Sequence, residues 1–236
     1  MTEAIEAKIA ANIEHVRRRI DGACRRAGRL PESVRLMAVT KTQPVEMVEA
    51  GYRAGLRLFG ENRILEAEEK FRGFHGDCEL HMIGHLQRNK ARLAAELVAC
   101  VQSIDKVETA RALDARLGGL GRRMAIFLEL NTSGEETKSG FARPAELLHA
   151  IPEIASLETL DIRGLMTIAP FTQDETAIRR SFRTLASLFE ELKAAHPELP
   201  LTELSMGMSG DFEIAIEEGA TIVRVGTALF GERAAT

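Results

Sequence analysis

An eightfold alternation of short apolar strands with amphipathic helices predicts an α/β fold, a single (β/α)8 TIM barrel. Three observations carry this expectation. The β-rich runs are apolar throughout, as parallel strands must be when helices cover one face and other strands the other. Between successive runs lie helical patterns long enough for parallel crossovers. The chain has 236 residues, near the length of about 250 typical of such barrels.

The expected strands are "VRLMAVT" (34–40), "LRLFG" (56–60), "LHMIG" (80–84), "LVACVQSI" (97–104), "MAIFLEL" (124–130), "LDIRGLMTI" (160–168), "LTELS" (201–205) and "TIVRVG" (221–226). Helical periodicity occupies 45–54, 62–71, 88–96, 106–117, 144–156, 174–195 and 212–218. Pro144 pre-sets φ for a first helical turn, Asp211 stands at an N-cap position before "FEIAIEEG", and Gly219 supplies the stop. An additional helix over 2–27 precedes the first strand and is expected to cover the bottom or flank of the barrel. No linker, low-complexity tract or short repeat interrupts the pattern, so 1–236 reads as one domain. The competing architecture is a doubly wound open sheet, but its GxGxxG turn is missing after the first strand.

A net charge of −4 argues against nucleic acid as a partner, because phosphate neutralisation calls for a basic surplus. The local cluster Arg17, Arg18, Arg19, Arg25, Arg26 and Arg29 alternates with Ile13, Val16 and Ile20, which reads as a solvated helix face. Cys24, Cys78 and Cys100 are odd in number and never paired as CxxC; a reducing cytoplasm fits, and neither a disulfide framework nor a zinc knuckle does. The N-terminal stretch is amphipathic and acidic, so no signal peptide and no membrane span is expected. Nothing points to an assembly, and a monomer is the default. The acidic pairs at 68–69, 135–136 and 217–218 read as solvated faces and helix ends.

In a barrel of this kind chemistry gathers where strands end. Lys41 closes the first strand, Asn62 of "GEN" the second and His85 of "GHLQRNK" the third; Ser103 and Asp105 follow the fourth, and Asn131 closes the fifth. Met166 and Thr167 end the sixth strand, "SMGMSG" follows the seventh, and Arg224 ends the eighth before "GTALFG". Loops after strands seven and eight commonly bind phosphate in barrels. Here they carry Gly207, Gly210 and Gly226 with the hydroxyls of Ser205, Ser209 and Thr227. Each glycine alone reads as a turn residue; together they favour phosphate. A lysine facing a phosphate cup points to a cofactor with an aldehyde at one end and phosphate at the other, which is the shape of pyridoxal 5'-phosphate (PLP).

The segments "AVTKTQP", "FGEN", "HMIGHLQRNK", "GLMTI" and "LSMGMSGDFEIAIEEGATIVRVGTALFG" closely resemble the pyridoxal-phosphate homeostasis protein family, relatives of the N-terminal barrel of alanine racemase. The resemblance covers essentially the whole chain. It implies PLP held as a Schiff base on Lys41, with a non-catalytic role in intracellular PLP homeostasis and effects on amino-acid metabolism. It implies that Arg224 hydrogen-bonds the pyridine nitrogen, and that Gly226, Thr227 and a serine of "SMGMS" hold the phosphate, Ser205 or Ser209. Asn62, His85, Met166, Met206 and Gly207 complete the expected cofactor-binding set, and delivery of PLP to apo-enzymes is left open. Leu80 stands where the family commonly has Trp.

The alternative is a PLP-dependent amino-acid racemase. Racemisation needs two opposed bases, and the partner lysine in alanine racemase works with a tyrosine from another subunit. The only tyrosine here is Tyr52, within the helical pattern after the first strand. No catalytic residue is therefore expected. No metal site is expected either: "HMIGH" ends a strand at Gly84 without helical HxxxH geometry, so His81 reads as a strand-packing residue.

Overall fold

Hydrogen bonding between the first and last strands closes the molecule. The structure, a computed structural model, describes residues 2–135 and 137–231. Its strands β1 (Arg35–Val39), β2 (Leu58–Glu61), β3 (Glu79–Met82), β4 (Cys100–Ile104), β5 (Met124–Glu129), β6 (Leu160–Met166), β7 (Glu203–Ser205) and β8 (Ile222–Val225) form a closed parallel barrel in chain order. The expected fold is found, each strand lying within its predicted run or one residue of it. Helices α1 (Thr2–Arg26), α2 (Val45–Arg53), α3 (Ile64–Phe71), α4 (Ala91–Leu97), α5 (Val107–Leu120), α6 (Pro144–Ala155), α7 (Glu175–Ala195), α8 (Phe212–Glu217) and α9 (Thr227–Phe230) accompany them. Among the described residues no helix is long and apolar enough to cross a membrane.

Two cores follow from strand alternation. Residues pointing outward, such as Phe59, Val101, Ile126, Leu128 and Val223, pack under the helices, where Leu113, Ile151, Phe182 and Leu185 meet them. Residues pointing inward, Met37, Val39, Leu58, Ile83, Cys100, Phe127, Met166 and Ile222, fill the barrel. Irregularities in the β4–β5 and β5–β6 pairings adjust which residues at the upper ends face in.

The α1 helix lies on the flank, beside α2, α8 and α9. Its arginines, with Arg29 just beyond its end, are more than a solvated face. Arg19 donates to Glu213 at 2.7 Å and lies over the Phe212 ring, Arg26 donates to Glu217 at 2.8 Å, and Arg29 donates to the Ile216 carbonyl at 2.8 Å. Nor is the acidic pair Glu217–Glu218 a bare helix end, since Arg179 donates to both and Arg183 to Glu218. Sequence periodicity places these charges outward without saying which neighbouring helix receives them. Glu136 of another predicted pair lies outside the described residues. Asp211 takes the N-cap position of α8 without capping it; its carboxylate accepts instead from the Met208 N–H at 2.5 Å.

The lower end of the barrel interior is charged. Arg35 donates to Glu79 at 2.6 Å and faces Glu203 at 3.5 Å, while His81, buried above them, reaches Glu79 at 3.3 Å. The His81 hydrogen bond, then that of Arg35, outweighs burial and holds the Glu79 carboxyl down to about 2, from an ordinary value of 4.5. A depressed carboxyl stabilises the folded state fully above its unfolded pKa and loses that contribution as pH falls through the folded value. Glu79→Gln should therefore be less stable than the native protein at neutral pH, the deficit shrinking from about pH 4.5 and vanishing near pH 2. Urea unfolding at stepped pH measures it; a deficit constant with pH would contradict the assignment.

Candidate functional site

The upper end of β1 runs straight into Lys41, which is half-buried, and Thr42, whose φ of 62° is the one positive value among described non-glycine residues. Left-handed backbone at a β-branched residue is strained and needs outside support. That support comes from α3. Glu66 accepts from the Thr42 N–H and from Lys70 Nζ, the latter at 2.6 Å. Lys70 is buried and also donates to the Thr40 carbonyl at 2.7 Å and to Glu61 Oε1 at 2.9 Å, while the Thr40 hydroxyl donates to the same oxygen at 2.7 Å. Burial pushes the Glu61 carboxyl upward, opposed by its bonds from Thr40 and Lys70. The peptides on both sides of Lys41 are thus gripped by one buried ion-pair network.

Beside this corner stands β8. Register pairs Ala38 with Val225, and a Cβ added to Gly226 would sit 3.2 Å from the Val39 carbonyl oxygen, a tight contact that glycine avoids where the two strand ends come together. Beyond it, the loops after β7 and β8 meet: Ser209 Oγ lies 3.4 Å from both the Thr227 hydroxyl and the Ala228 N–H. Ser209 is half-buried and Thr227 exposed at the rim. The loop before them turns at Gly207, with φ of 91° and the Phe212 backbone against it.

Ser205 is elsewhere. It is fully buried inside the barrel, its hydroxyl donating to Gln102 Oε1 at 2.6 Å and accepting from Arg224 Nη1 at 2.8 Å. Of the two serines left open by the motif, only Ser209 stands at the rim. Strand alternation decides this, because Ser205 still belongs to β7 and points inward. The Met206 side chain packs into the outer core under the helices, not towards the mouth. Met166 faces the interior.

Arg224 is buried, its Nη2 donating to the Thr167 carbonyl at 2.7 Å. Desolvation lowers its pKa to about 10, with Asp211 and Glu129 opposing. Glu129 at the end of β5 is itself pushed up to about 7, by burial first and then by the charge of Asp105. Asn62, His85, Glu129, Asn131 and Lys138 line a cavity of about 240 Å³ at the mouth. His85 is exposed, with Nδ1 3.1 Å from the buried carboxylate of Asp105. Tyr52 lies at the opposite end, where its hydroxyl donates to Asp77 at 2.9 Å.

The structure therefore brings Lys41, Gly226, Thr227 and Ser209 to one side of the mouth and Asn62 and His85 to another. Arg224 lies below. Sequence reasoning missed Glu61, Lys70, Gln102 and Glu129. Their signal was a polar residue inside an apolar run, Gln102 in "CVQSI" and Glu129 in "FLEL".

The family model described as "Alanine racemase, N-terminal domain" matches residues 6–234. The chain is 42% identical over 230 residues to the "Pyridoxal phosphate homeostasis protein" of Vibrio cholerae, covering 95% of this chain and 96% of the relative. The protein of the same name from Escherichia coli is 40% identical over 233 residues, covering 95% and 97%. The chain belongs to the pyridoxal phosphate homeostasis protein family. Among solved structures, PipY of Synechococcus elongatus with PLP bound superposes with a TM-score of 0.83 at 38% identity, covering 94% of this chain and all of that one. Alanine racemase of Clostridium difficile shares the fold at 17% identity and a TM-score of 0.76, over 97% of this chain and 57% of the racemase.

Breaking a buried ion pair from one side leaves an uncompensated charge, which costs about 3–5 kcal/mol. Lys70→Met should destabilise the protein by that order, and Lys70→Met combined with Glu61→Gln by clearly less, because the second change removes the orphaned charge. Urea unfolding of the pair measures both. A loss under about 1 kcal/mol for the single variant would show that the network is solvated.

Proposed function

We propose that the chain, acting over 1–236 as one unit, binds PLP and serves in PLP homeostasis without turning over amino acids. The observation that carries this reading is the adjacency of Lys41 to the Gly226–Thr227–Ser209 rim across the β1–β8 seam. The residues present fit the group. Two hydroxyls and a glycine suit a phosphate, and the lysine amine suits an aldehyde. Arg224 has five guanidinium N–H groups, and two are spent on Ser205 and Thr167. The names of the relatives and the PLP-bound PipY support it.

In this reading PLP, when bound, would supply an aldehyde to the Lys41 amine, and Lys41 would be its covalent anchor. Ser209 and Thr227 would hold the phosphate, and Arg224, which can only donate, would face the ring nitrogen. Asn62 and His85 border the open side. Met166 and Ser205 pack beneath, and Met206 and Gly207 shape the phosphate loop. Tyr52 is committed to Asp77 away from the mouth, so it offers no second base. We place the protein in the cytoplasm as a monomer that passes PLP to PLP-dependent apo-enzymes.

A second reading, an amino-acid racemase, has one observation in its favour: the His85–Asp105 pair at the mouth has the geometry of an oriented base. One experiment separates the two. Borohydride reduction of the PLP-loaded protein, followed by peptide mapping, should place the adduct on Lys41, and Lys41→Ala should abolish it. The same preparation, given L-amino acids in deuterated water, should show no appreciable Cα exchange. An adduct on Lys90 or Lys138 would overturn the anchor, and rapid exchange lost in His85→Ala would establish the racemase.

The phosphate assignment has its own test. Hydrogen bonds to a charged group are worth about 1.5–3 kcal/mol each, so Ser209→Ala with Thr227→Val should weaken PLP binding about a hundredfold or more. Unchanged affinity by fluorescence titration would put the phosphate elsewhere.

A further inference from the structure

Inside the barrel a line of polar side chains runs from the lower end to Arg224. Arg224 Nη1 contacts Ser205 Oγ at 2.8 Å, Ser205 Oγ contacts Gln102 Oε1 at 2.6 Å, Gln102 Nε2 contacts His81 Nδ1 at 2.9 Å, and His81 Nε2 contacts Glu79 Oε2 at 3.3 Å. Glu79 in turn accepts from Arg35 at 2.6 Å. Ser205, Gln102 and His81 are all buried, so each polar atom needs a partner from within the barrel.

Donor and acceptor roles along this line are forced from one end. A guanidinium only donates, so Ser205 Oγ must accept from Arg224. The serine proton is then left for Gln102, which must present its carbonyl oxygen. The amide NH2 therefore faces His81, whose Nδ1 must accept. The imidazole proton sits on Nε2 and points at the Glu79 carboxylate. At the other end, a carboxylate only accepts, which demands the same direction. The two ends agree.

We propose that Gln102 and His81 are positioning residues for Arg224: the one-way hydrogen-bond line holds the guanidinium in place, with His81 in its neutral Nε2–H form. The charged and titratable groups around His81 are Glu79 on its own strand, Arg35 on β1, Cys100 on β4 and Glu203 on β7. A proton added at Nδ1 would oppose the Gln102 amide donor and force that amide to turn. The turned amide would donate to Ser205, which already accepts from Arg224, and the serine proton would lose its acceptor. The role of Arg224 towards PLP rests on the reading given under Proposed function; the tautomer of His81 does not.

Two measurements test this. In protein without PLP, ¹⁵N-histidine NMR at neutral pH should show His81 protonated at Nε2 alone, and Gln102→Met should shift the Nδ1 resonance, which loses its hydrogen-bond donor. In PLP-loaded protein, Gln102→Met should bind PLP about tenfold more weakly, because the guanidinium loses the line that holds it, and shift the visible absorption maximum of the bound cofactor. The borohydride adduct on Lys41 should persist. Cys100→Ala, an apolar change beside Gln102 in the barrel interior, should leave both the affinity and the spectrum unchanged. Protonation of His81 at Nδ1 would overturn the proposal even if no PLP adduct forms. So would a Gln102→Met protein whose affinity and spectrum match those of Cys100→Ala. Failure of the native protein to trap PLP on Lys41 would refute the anchor and leave the NMR result to decide the line.

Discussion

The pairing of β1 with β8 is the constraint on which the rest of the molecule depends. It sets Arg35 beside Ile222, Met37 beside Arg224 and Ala38 beside Val225, and so fixes what stands opposite Lys41. A register slip of one residue would turn Arg224 out of the barrel and the neighbouring valines in. With this register, Lys41 emerges next to Gly226, and the final loop of the barrel folds back to Ser209. Closure is also what removes the two edges that eight parallel strands would otherwise expose.

The lower part of the barrel is filled with side chains, and a polar group buried among them costs stability unless another group pairs with it. Two systems do this. One is ionic: Lys70, Glu61 and Glu66 lie between α3 and the barrel wall and act on backbone flanking Lys41. The other is a mostly neutral hydrogen-bonded line through the interior to Arg224. Between them they account for most of the fully buried polar residues near the mouth, and both end beside residues of the proposed PLP site. Among the described residues Glu61, Asp105, Glu153 and Glu203 each keep one buried carboxylate oxygen without a hydrogen-bond donor, and of these Glu61 and Asp105 lie near the mouth while Glu203 lies at the lower end of the barrel interior.

The strands were legible because both faces of a parallel barrel strand are buried, which leaves unbroken apolar runs in the sequence. Lys41, Arg224 and the glycine loops stood out because they interrupt or terminate such runs. Facing was harder to read. Ser205 and Ser209 look equivalent in "SMGMSG", yet one lies within β7 and the other beyond it, and a single residue at a strand end decides between interior and rim. Gln102 and Glu129 follow the alternation of Cys100 and Phe127 into the interior, but the sequence does not say which face of a doubly buried strand is the barrel side or which polar partners wait there. The arginines of α1 were visible as a charged stripe. Their partners on α8, nearly two hundred residues later, belong to the tertiary structure, and no local pattern encodes them.

That last contact bears on how the protein comes to be made. The α8 helix follows directly on Ser209 and Gly210, and its docking relies on Arg19 and Arg29, at sequence separations of 194 and 187 residues. On a ribosome the first helix emerges long before its partner exists, and waits with an apolar stripe of Ile9, Ile13, Val16 and Ile20 that α8 and α9 will later help to cover. Contacts of such long range form late and slowly. The rim around Ser209 and Thr227 is therefore among the last parts to take shape during synthesis, and until β8 pairs with β1 the lysine has no phosphate seat beside it.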